Sequence, residues 1–370
     1  MKNKKPIDFW IFITVLILLS LGVIMVFSAS APSAYNYTKN HDIYFFLKSQ
    51  LRYAVIGIIA MIVTLNIDYR KFGKWSYLFI VISIVLLVLV LIPGIGHEEN
   101  GSRRWMYIGP VHFQPSEFVK ISVILFMSYS LSKRKDQLAS FFKGFLPYLL
   151  LVGLVSGLLM LETHLSCTIV IITISCIMLF CAGARLGHFA IFILPAAGMF
   201  AAATAFIPYI QARVFSFLNP WKDLHGNGWQ VVQSLYAIGS GGLFGRGLGR
   251  SLQKFLYIPE PQNDFILSVL AEELGFIGVL AVLLLFLIFI WRGIRISLNS
   301  PDMFGSLVAV GITSLVAVQV IINVAVVTSS MPVTGMPLPF FSAGGTALLF
   351  LMFSVGILLN ISRYSNYERI

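Results

Sequence analysis

At 370 residues, 58% hydrophobic and only 11% charged, with a mean hydropathy of +0.88, the chain is far too apolar for a water-soluble globule, where about a quarter of residues are charged. Lys+Arg 26 against Asp+Glu 15 gives a net charge of +11. In a soluble protein that excess would suggest nucleic acid; here it follows from the rule that keeps Lys and Arg on the cytoplasmic side of a membrane, so nucleic-acid binding is not supported.

Runs of about 20 apolar residues, the length that crosses a bilayer core, fall at Phe9 to Ser28, Leu51 to Ile67, Ser76 to Ile92 and Pro115 to Leu131. Further runs follow at Phe145 to Leu161, Thr168 to Ala182, Leu186 to Ile207, Asp264 to Ile290, Gly305 to Thr328 and Gly344 to Asn360. The predicted fold is therefore an all-α polytopic membrane protein of ten transmembrane helices, one domain over 1–370, with a large extracytoplasmic loop at 209–263 between helices 7 and 8. Met1 to Lys5, an apolar run and Ser28-Ala29-Ser30-Ala31 mimic a signal peptide, but the run exceeds a signal's apolar region and reads as a retained span. With both termini cytoplasmic, fifteen Lys and Arg residues lie inside and ten outside, Lys120 being within a span. Cys167, Cys176 and Cys181 form no CxxC pair and read as packing residues.

Ionisable side chains within a membrane are costly and mark candidate functional positions. Glu117 and Lys120, three residues apart in the first turns of the fourth span, share a helix face and form either an interhelical clamp or part of a site. Arg103 and Arg104 precede that span, Glu162 and His164 end the fifth, and Ser342 to Thr346 precede the tenth. Asp264 opens the eighth span, where it suits either a helix cap or a general base, and Glu272 and Glu273 lie further along as packing anchors or chemistry. All of these fall on one side, which describes a cavity open to the outer leaflet rather than a pore or proton relay through the full depth.

The stretch Gly239-Ser240-Gly241-Gly242-Leu243-Phe244-Gly245-Arg246-Gly247-Leu248-Gly249-Arg250 is not a nucleotide site, since no Lys-Ser/Thr pair and no βαβ unit accompany it. It remains either a tight turn or an anion-binding backbone beside Arg246, Arg250 and Lys254. A carboxylate and several cations at a lipid boundary suit a substrate with an acyl chain and a phosphate, such as a sugar carried on a pyrophosphate lipid.

Asn100-Gly101-Ser102-Arg103-Arg104-Trp105, Gln114-Pro115-Ser116-Glu117-Phe118-Val119-Lys120, Asn219-Pro220-Trp221, Gln233-Ser234-Leu235-Tyr236-Ala237-Ile238-Gly239, Pro259-Glu260-Pro261-Gln262-Asn263-Asp264-Phe265-Ile266, Glu272-Glu273-Leu274-Gly275 and Pro337-Leu338-Pro339-Phe340 occur in this order along nearly the whole chain. In these motifs the sequence resembles the SEDS family (shape, elongation, division and sporulation), most closely its FtsW/SpoVE-like branch. The resemblance implies ten transmembrane helices and a peptidoglycan glycosyltransferase that polymerises lipid II into glycan strands at the outer face of the bacterial cytoplasmic membrane, for septal division or spore cortex synthesis. It implies Asp264 as the catalytic base, with Arg104, Lys120 and Glu117 lining the substrate cavity. A class B penicillin-binding protein, a transpeptidase, is the implied partner, beside other divisome or sporulation membrane proteins. No cofactor is required by the sequence, although a divalent cation, Mg or Mn, could assist. A lipid II flippase and a non-catalytic scaffold for the transpeptidase are the competing readings. The chain departs from the family where many members read Gln-Pro-Asp-Leu-Gly-Thr and this one reads Glu162-Thr163-His164-Leu165-Ser166-Cys167. It departs again where Ser342-Ala343-Gly344-Gly345-Thr346 replaces a common Ser-Tyr-Gly-Gly-Ser. Arg103, Arg246, Glu162, His164 and Ser342 complete the candidate substrate-binding set.

Overall fold

The computed structural model describes residues 5–38, 40–99, 102–108, 111–138, 140–190, 198, 206, 211, 215–222 and 227–365. The seventh expected span, Leu186 to Ile207, falls largely outside them, as do Asn100, Gly101 and parts of 209–263.

Helix α1 (Phe9–Tyr37) opens on Asp8, whose carboxylate accepts the Ile11 N–H at 3.1 Å, the capping geometry that satisfies a first-turn donor. It runs unbroken through Ser28 to Ala31 and packs Ile11, Val15 and Leu18 into the core. Helices α2 (Phe45–Asn66) and α3 (Tyr69–Leu91) follow, then a three-stranded antiparallel sheet of β1 (Gly96–Glu99), β2 (Ser102–Ile108) and β3 (Val111–Phe113). That sheet corrects the all-α expectation. After it come α4 (Pro115–Lys133), α5 (Leu146–Leu161), α6 (Leu165–Cys181) and α7 (Asn227–Gly241), the last a helix inside the stretch expected to be a loop. The chain continues with α8 (Ile266–Leu298), α9 (Met303–Val327) and α10 (Gly345–Ser362).

Seven helices of the described residues are long and apolar enough to cross a membrane: α1, α2, α3, the helical stretch Phe141–Leu161 that contains α5, α8, α9 and α10. Burial separates centre from rim, since 67% and 72% of the apolar windows of α9 and α10 are inside the bundle against 22% for α2 and α8. The rim helices turn Ile56, Ile59, Leu78, Val85, Leu284 and Leu287 outward, an apolar surface suited to lipid tails.

Asp8 pairs with Arg292 at 2.6 Å and its N–H donates to the Ser362 hydroxyl oxygen at 3.0 Å, while Asn360 bridges the Leu65 carbonyl (2.6 Å) and the Tyr69 N–H (3.0 Å). Arg70 reaches Asp302 at 3.0 Å. These bonds gather both ends of the described chain, the α2–α3 turn and the α8–α9 turn on one basic face. The sheet, the α5–α6 turn, the start of α8 and the segment 331–344 between α9 and α10 consequently lie on the opposite face.

Candidate active site

Pro115 at the first position of α4 starts the helix without wasting an N–H donor, and three residues of rise bring Glu117 and Lys120 onto one face. They form an ion pair at 2.8 Å with side chains only 9% and 4% exposed. A charge pair so far from water is held by its mutual attraction, and removal of either partner strands the other. The pair lines a cavity of about 30 Å³ together with Gln319 of α9 and Pro337, Leu338 and Ser342 of the segment 331–344.

That segment also meets Asp264. Asn323 of α9 donates from its amide to the carbonyls of Asp264 (2.8 Å) and Met336 (2.7 Å). Ser342 donates to the Asn263 carbonyl at 2.7 Å, and the Ala343 N–H to the Gln262 carbonyl at 2.9 Å. Gly335, at φ 75°, lies so close that a Cβ there would stand 3.2 Å from the Asp264 carboxylate. The segment is thus a strap, with one edge against Asp264 and the other against the Glu117–Lys120 cavity. Asp264 itself is not among the residues lining that cavity. The eighth helix was expected to begin at Asp264; it begins at Ile266 with Phe265 in the cap position, so Asp264 is not its cap.

Strand β2 alternates its side chains, which sends Arg103 and Arg104 to opposite faces. Arg104 bonds Ser102 Oγ at 2.8 Å, and the Thr163 hydroxyl donates to the same oxygen at 2.5 Å, docking β2 against the α5–α6 turn. Arg104 is thereby close enough to act on the charge of Glu162 and His164. Burial pushes the Glu162 carboxyl up to about 8 despite the pull of Arg104. Burial, with Arg104 and Lys120 nearby, holds His164 well below the usual imidazole range and neutral. Arg104, Glu117, Lys120, Glu162 and His164 therefore form one electrostatic cluster, with Ser342 at its edge. Arg103 stands apart, 3.3 Å from Glu98 on an exposed cleft.

Arg246 also stands apart. Its guanidinium is 3.5 Å from Glu272 and 3.4 Å from the Ser240 carbonyl. The glycine-rich stretch around it docks into a break in α8 at Gly275 (φ 69°, ψ −170°). There the Arg246 and Gly247 N–H groups donate to the Glu272 and Glu273 carbonyls at 3.0 and 2.9 Å, and the Phe276 and Ile277 N–H groups donate to Gly242 and Leu243 at 2.9 and 3.1 Å. The two glutamates are fully buried anchors. Glu272 accepts from Ser251 Oγ (2.5 Å) and the Leu252 N–H (2.9 Å), and Glu273 from Ser28 (2.7 Å) and Lys254 (2.8 Å). Of the two readings of this stretch, the tight turn is the one its backbone bonds describe.

Sequence reasoning missed Asn323, Gly335 and Ser102, which position the others. Asn323 in an apolar helix was the available signal, because a buried amide must find partners. Among the described residues no group of three or more His, Cys, Asp or Glu side chains is gathered, so no residues are assigned to a divalent cation.

A family of cell cycle proteins described by its members FtsW, RodA and SpoVE matches residues 9–367. The chain is 49% identical over 366 residues to stage V sporulation protein E of Bacillus subtilis (strain 168), covering 99% of each. It is 44% identical over 363 residues to a probable peptidoglycan glycosyltransferase FtsW of Trichlorobacter lovleyi, covering 96% of this chain and 93% of that one. Among solved structures it resembles one described as "Structural coordination of polymerization and crosslinking by a peptidoglycan synthase complex", with TM-score 0.80 and 27% identity over 97% of this chain and 99% of that one. It also resembles the rod shape determining protein RodA of Thermus thermophilus, with TM-score 0.70 and 26% identity over 98% of each.

Proposed function

Because the chain belongs to the FtsW, RodA and SpoVE family of cell cycle proteins, we propose that it is a membrane-embedded peptidoglycan glycosyltransferase that polymerises lipid II, for septal division or spore cortex synthesis. The observation that supports this most is the strap 331–344, which touches Asp264 on one side and the buried Glu117–Lys120 pair on the other. The face that carries them is the outer face of the bacterial cytoplasmic membrane, and the basic face with both termini is cytoplasmic. Ten crossings agree with both ends of the described chain meeting at one face, the Lys5 N–H donating to the Arg363 carbonyl at 3.1 Å.

In the reaction, Asp264 takes the proton of the 4-hydroxyl of the acceptor GlcNAc, and that oxygen attacks the anomeric carbon of the donor MurNAc with inversion. The bond from that carbon to the phosphate oxygen breaks, and undecaprenyl pyrophosphate leaves with the electron pair. Lys120 and Arg104 oppose the charge that grows on the departing pyrophosphate, in a dry site where such opposition is strong. Glu117 orders Lys120. The cavity beside the pair, about 30 Å³, holds roughly one water. A class B penicillin-binding protein is the partner that uses the new strands, and the complex among the structural neighbours supports that pairing.

The test is incubation of the purified protein and its transpeptidase with lipid II in detergent. Long glycan on gels is the expected result. No glycan, with lipid II scrambling in vesicles, would replace the enzyme by a flippase; neither activity would leave a scaffold.

A second test separates chemistry from a helix clamp at α4. Lys120→Met alone is expected to destabilise the fold by about 3–5 kcal/mol, because Glu117 is left buried and unpaired. The double variant Glu117→Leu, Lys120→Met is expected to recover the melting temperature but not glycan synthesis. Recovered synthesis would reduce the pair to a clamp.

A further inference from the structure

The turn between α5 and α6 holds a carboxyl group that the mechanism above leaves without work. Glu162 is 1% exposed, and neither carboxyl oxygen has a hydrogen-bond partner among the described residues. A buried acceptor left unpaired costs about 1–3 kcal/mol, so such a group calls for an explanation. The backbone beside it is strained as well. Thr163 sits at φ 56°, a left-handed conformation that β-branched residues avoid. The shape is fixed by Thr163 and Arg104, both bonded to Ser102 Oγ, at 2.5 and 2.8 Å.

We infer that Glu162 is a substrate-binding residue of this chain, the hydrogen-bonding seat of the sugar-pyrophosphate head of the lipid-linked substrate, whose oxygens supply the partner that the buried carboxyl lacks. The inference rests on the glycosyltransferase reading and names a contact within its substrate site.

The groups around Glu162 decide its chemistry. Arg104 faces it from β2, Glu117 and Lys120 belong to the same cluster on α4, His164 stands in the cap position before α6 and Cys167 on α6. Arg104 favours the ionised carboxylate, but burial outweighs it and pushes the group up to about 8, so Glu162 is neutral at pH 7. His164, kept neutral, adds no charge. A neutral carboxyl offers one O–H donor, which a phosphate oxygen accepts, and a carbonyl that accepts from a sugar hydroxyl or amide. An ionised one would repel the pyrophosphate. Glutamine is the neutral isostere of this protonated acid. The difference lies in pH: glutamine stays neutral throughout, whereas Glu162 ionises as pH rises through about 8. A bound pyrophosphate, being negative, raises the carboxyl further and keeps it neutral in the complex.

Wild type, Glu162→Gln and Glu162→Ala, each with the partner transpeptidase, are to be compared between about pH 6.5 and about pH 9.5 for retention of lipid II on immobilised protein and for kcat/KM of polymerisation, which reports ionisation in the free enzyme. At pH 7, Glu162→Ala is expected to lose roughly tenfold or more in both, the worth of a hydrogen bond to a charged group, and Glu162→Gln to recover most of that loss. Above about pH 8 wild type is expected to fall by roughly tenfold per unit while Glu162→Gln does not follow it. Equal pH profiles for wild type and Glu162→Gln, or a Gln variant as poor as Ala at pH 7, would overturn the assignment. If Glu162→Ala fails to fold, the wild-type and Gln profiles decide alone. If wild type makes no glycan at any pH the glycosyltransferase reading fails, but lipid II retention still judges Glu162.

Discussion

Asp264→Asn is expected to lower polymerisation of lipid II by about 10²–10⁴-fold, the range that a positioned general base contributes. The substitution replaces one oxygen by an amide of the same shape. The amide cannot take the proton of the acceptor hydroxyl, yet it leaves the surroundings in place. The Asp264 contact to Asn323 uses the backbone carbonyl, which Asn keeps, and α8 is capped at Phe265, so no helix cap is lost. Melting temperature and lipid II retention are therefore expected to stay near wild type, because the proposed function gives the lipid phosphate to Lys120 and Arg104 rather than to Asp264. Asp264→Glu offers no rescue, since Gly335 stands against the carboxylate and the longer side chain would have to displace the strap. Equal glycan yield from wild type and Asp264→Asn would move the base elsewhere. A collapsed melting temperature would instead make Asp264 a structural residue.

The bundle was legible where a span announces itself by unbroken apolar length. Phe9 starts both the expected first span and α1, and the expected ninth span, Gly305 to Thr328, nearly coincides with α9. Pairing of Glu117 with Lys120 was legible too, because helix periodicity alone puts them on one face. What depends on distant contacts was not. The expected sixth span, from Thr168, began late, since Ser166 interrupts the apolar signal although α6 already starts at Leu165. The three-stranded sheet was missed because its strands are short and polar; the alternation of outward Tyr107 with buried Met106 in β2 was the available clue. Nor does Arg246 carry a sign of where it points. Its partner Glu272 lies 26 positions away, and only the break at Gly275 brings the two segments together.

That break carries the second large prediction. Gly275→Val is expected to undock the glycine-rich stretch and destabilise the protein severely, for two independent reasons. At φ 69° and ψ −170° the backbone occupies a region that is essentially reserved for glycine, a cost of about 1–3 kcal/mol for any other residue. A Cβ at 275 would also stand 2.3 Å from the Gly245 nitrogen and 2.6 Å from the Leu243 carbonyl oxygen, so backbone on the facing segment would have to retreat, at about 1–3 kcal/mol more. Retreat breaks the four backbone bonds that splice the stretch into α8 and draws Ser251 and Lys254 away from Glu272 and Glu273, leaving buried carboxylates without partners. The expected readouts are a lowered melting temperature and proteolytic cleavage within 242–255 that exceeds that of wild type. Gly153→Ala is the control, since nothing lies within 4 Å of a Cβ there and alanine favours the helix. Activity is expected to fall as well, because the helical segment that follows Asp264, Ile266 to Leu274, ends at the break and is held by the same splice. Wild-type melting and protease resistance in Gly275→Val would show that α8 can bend elsewhere and that the stretch is held by its side chains alone.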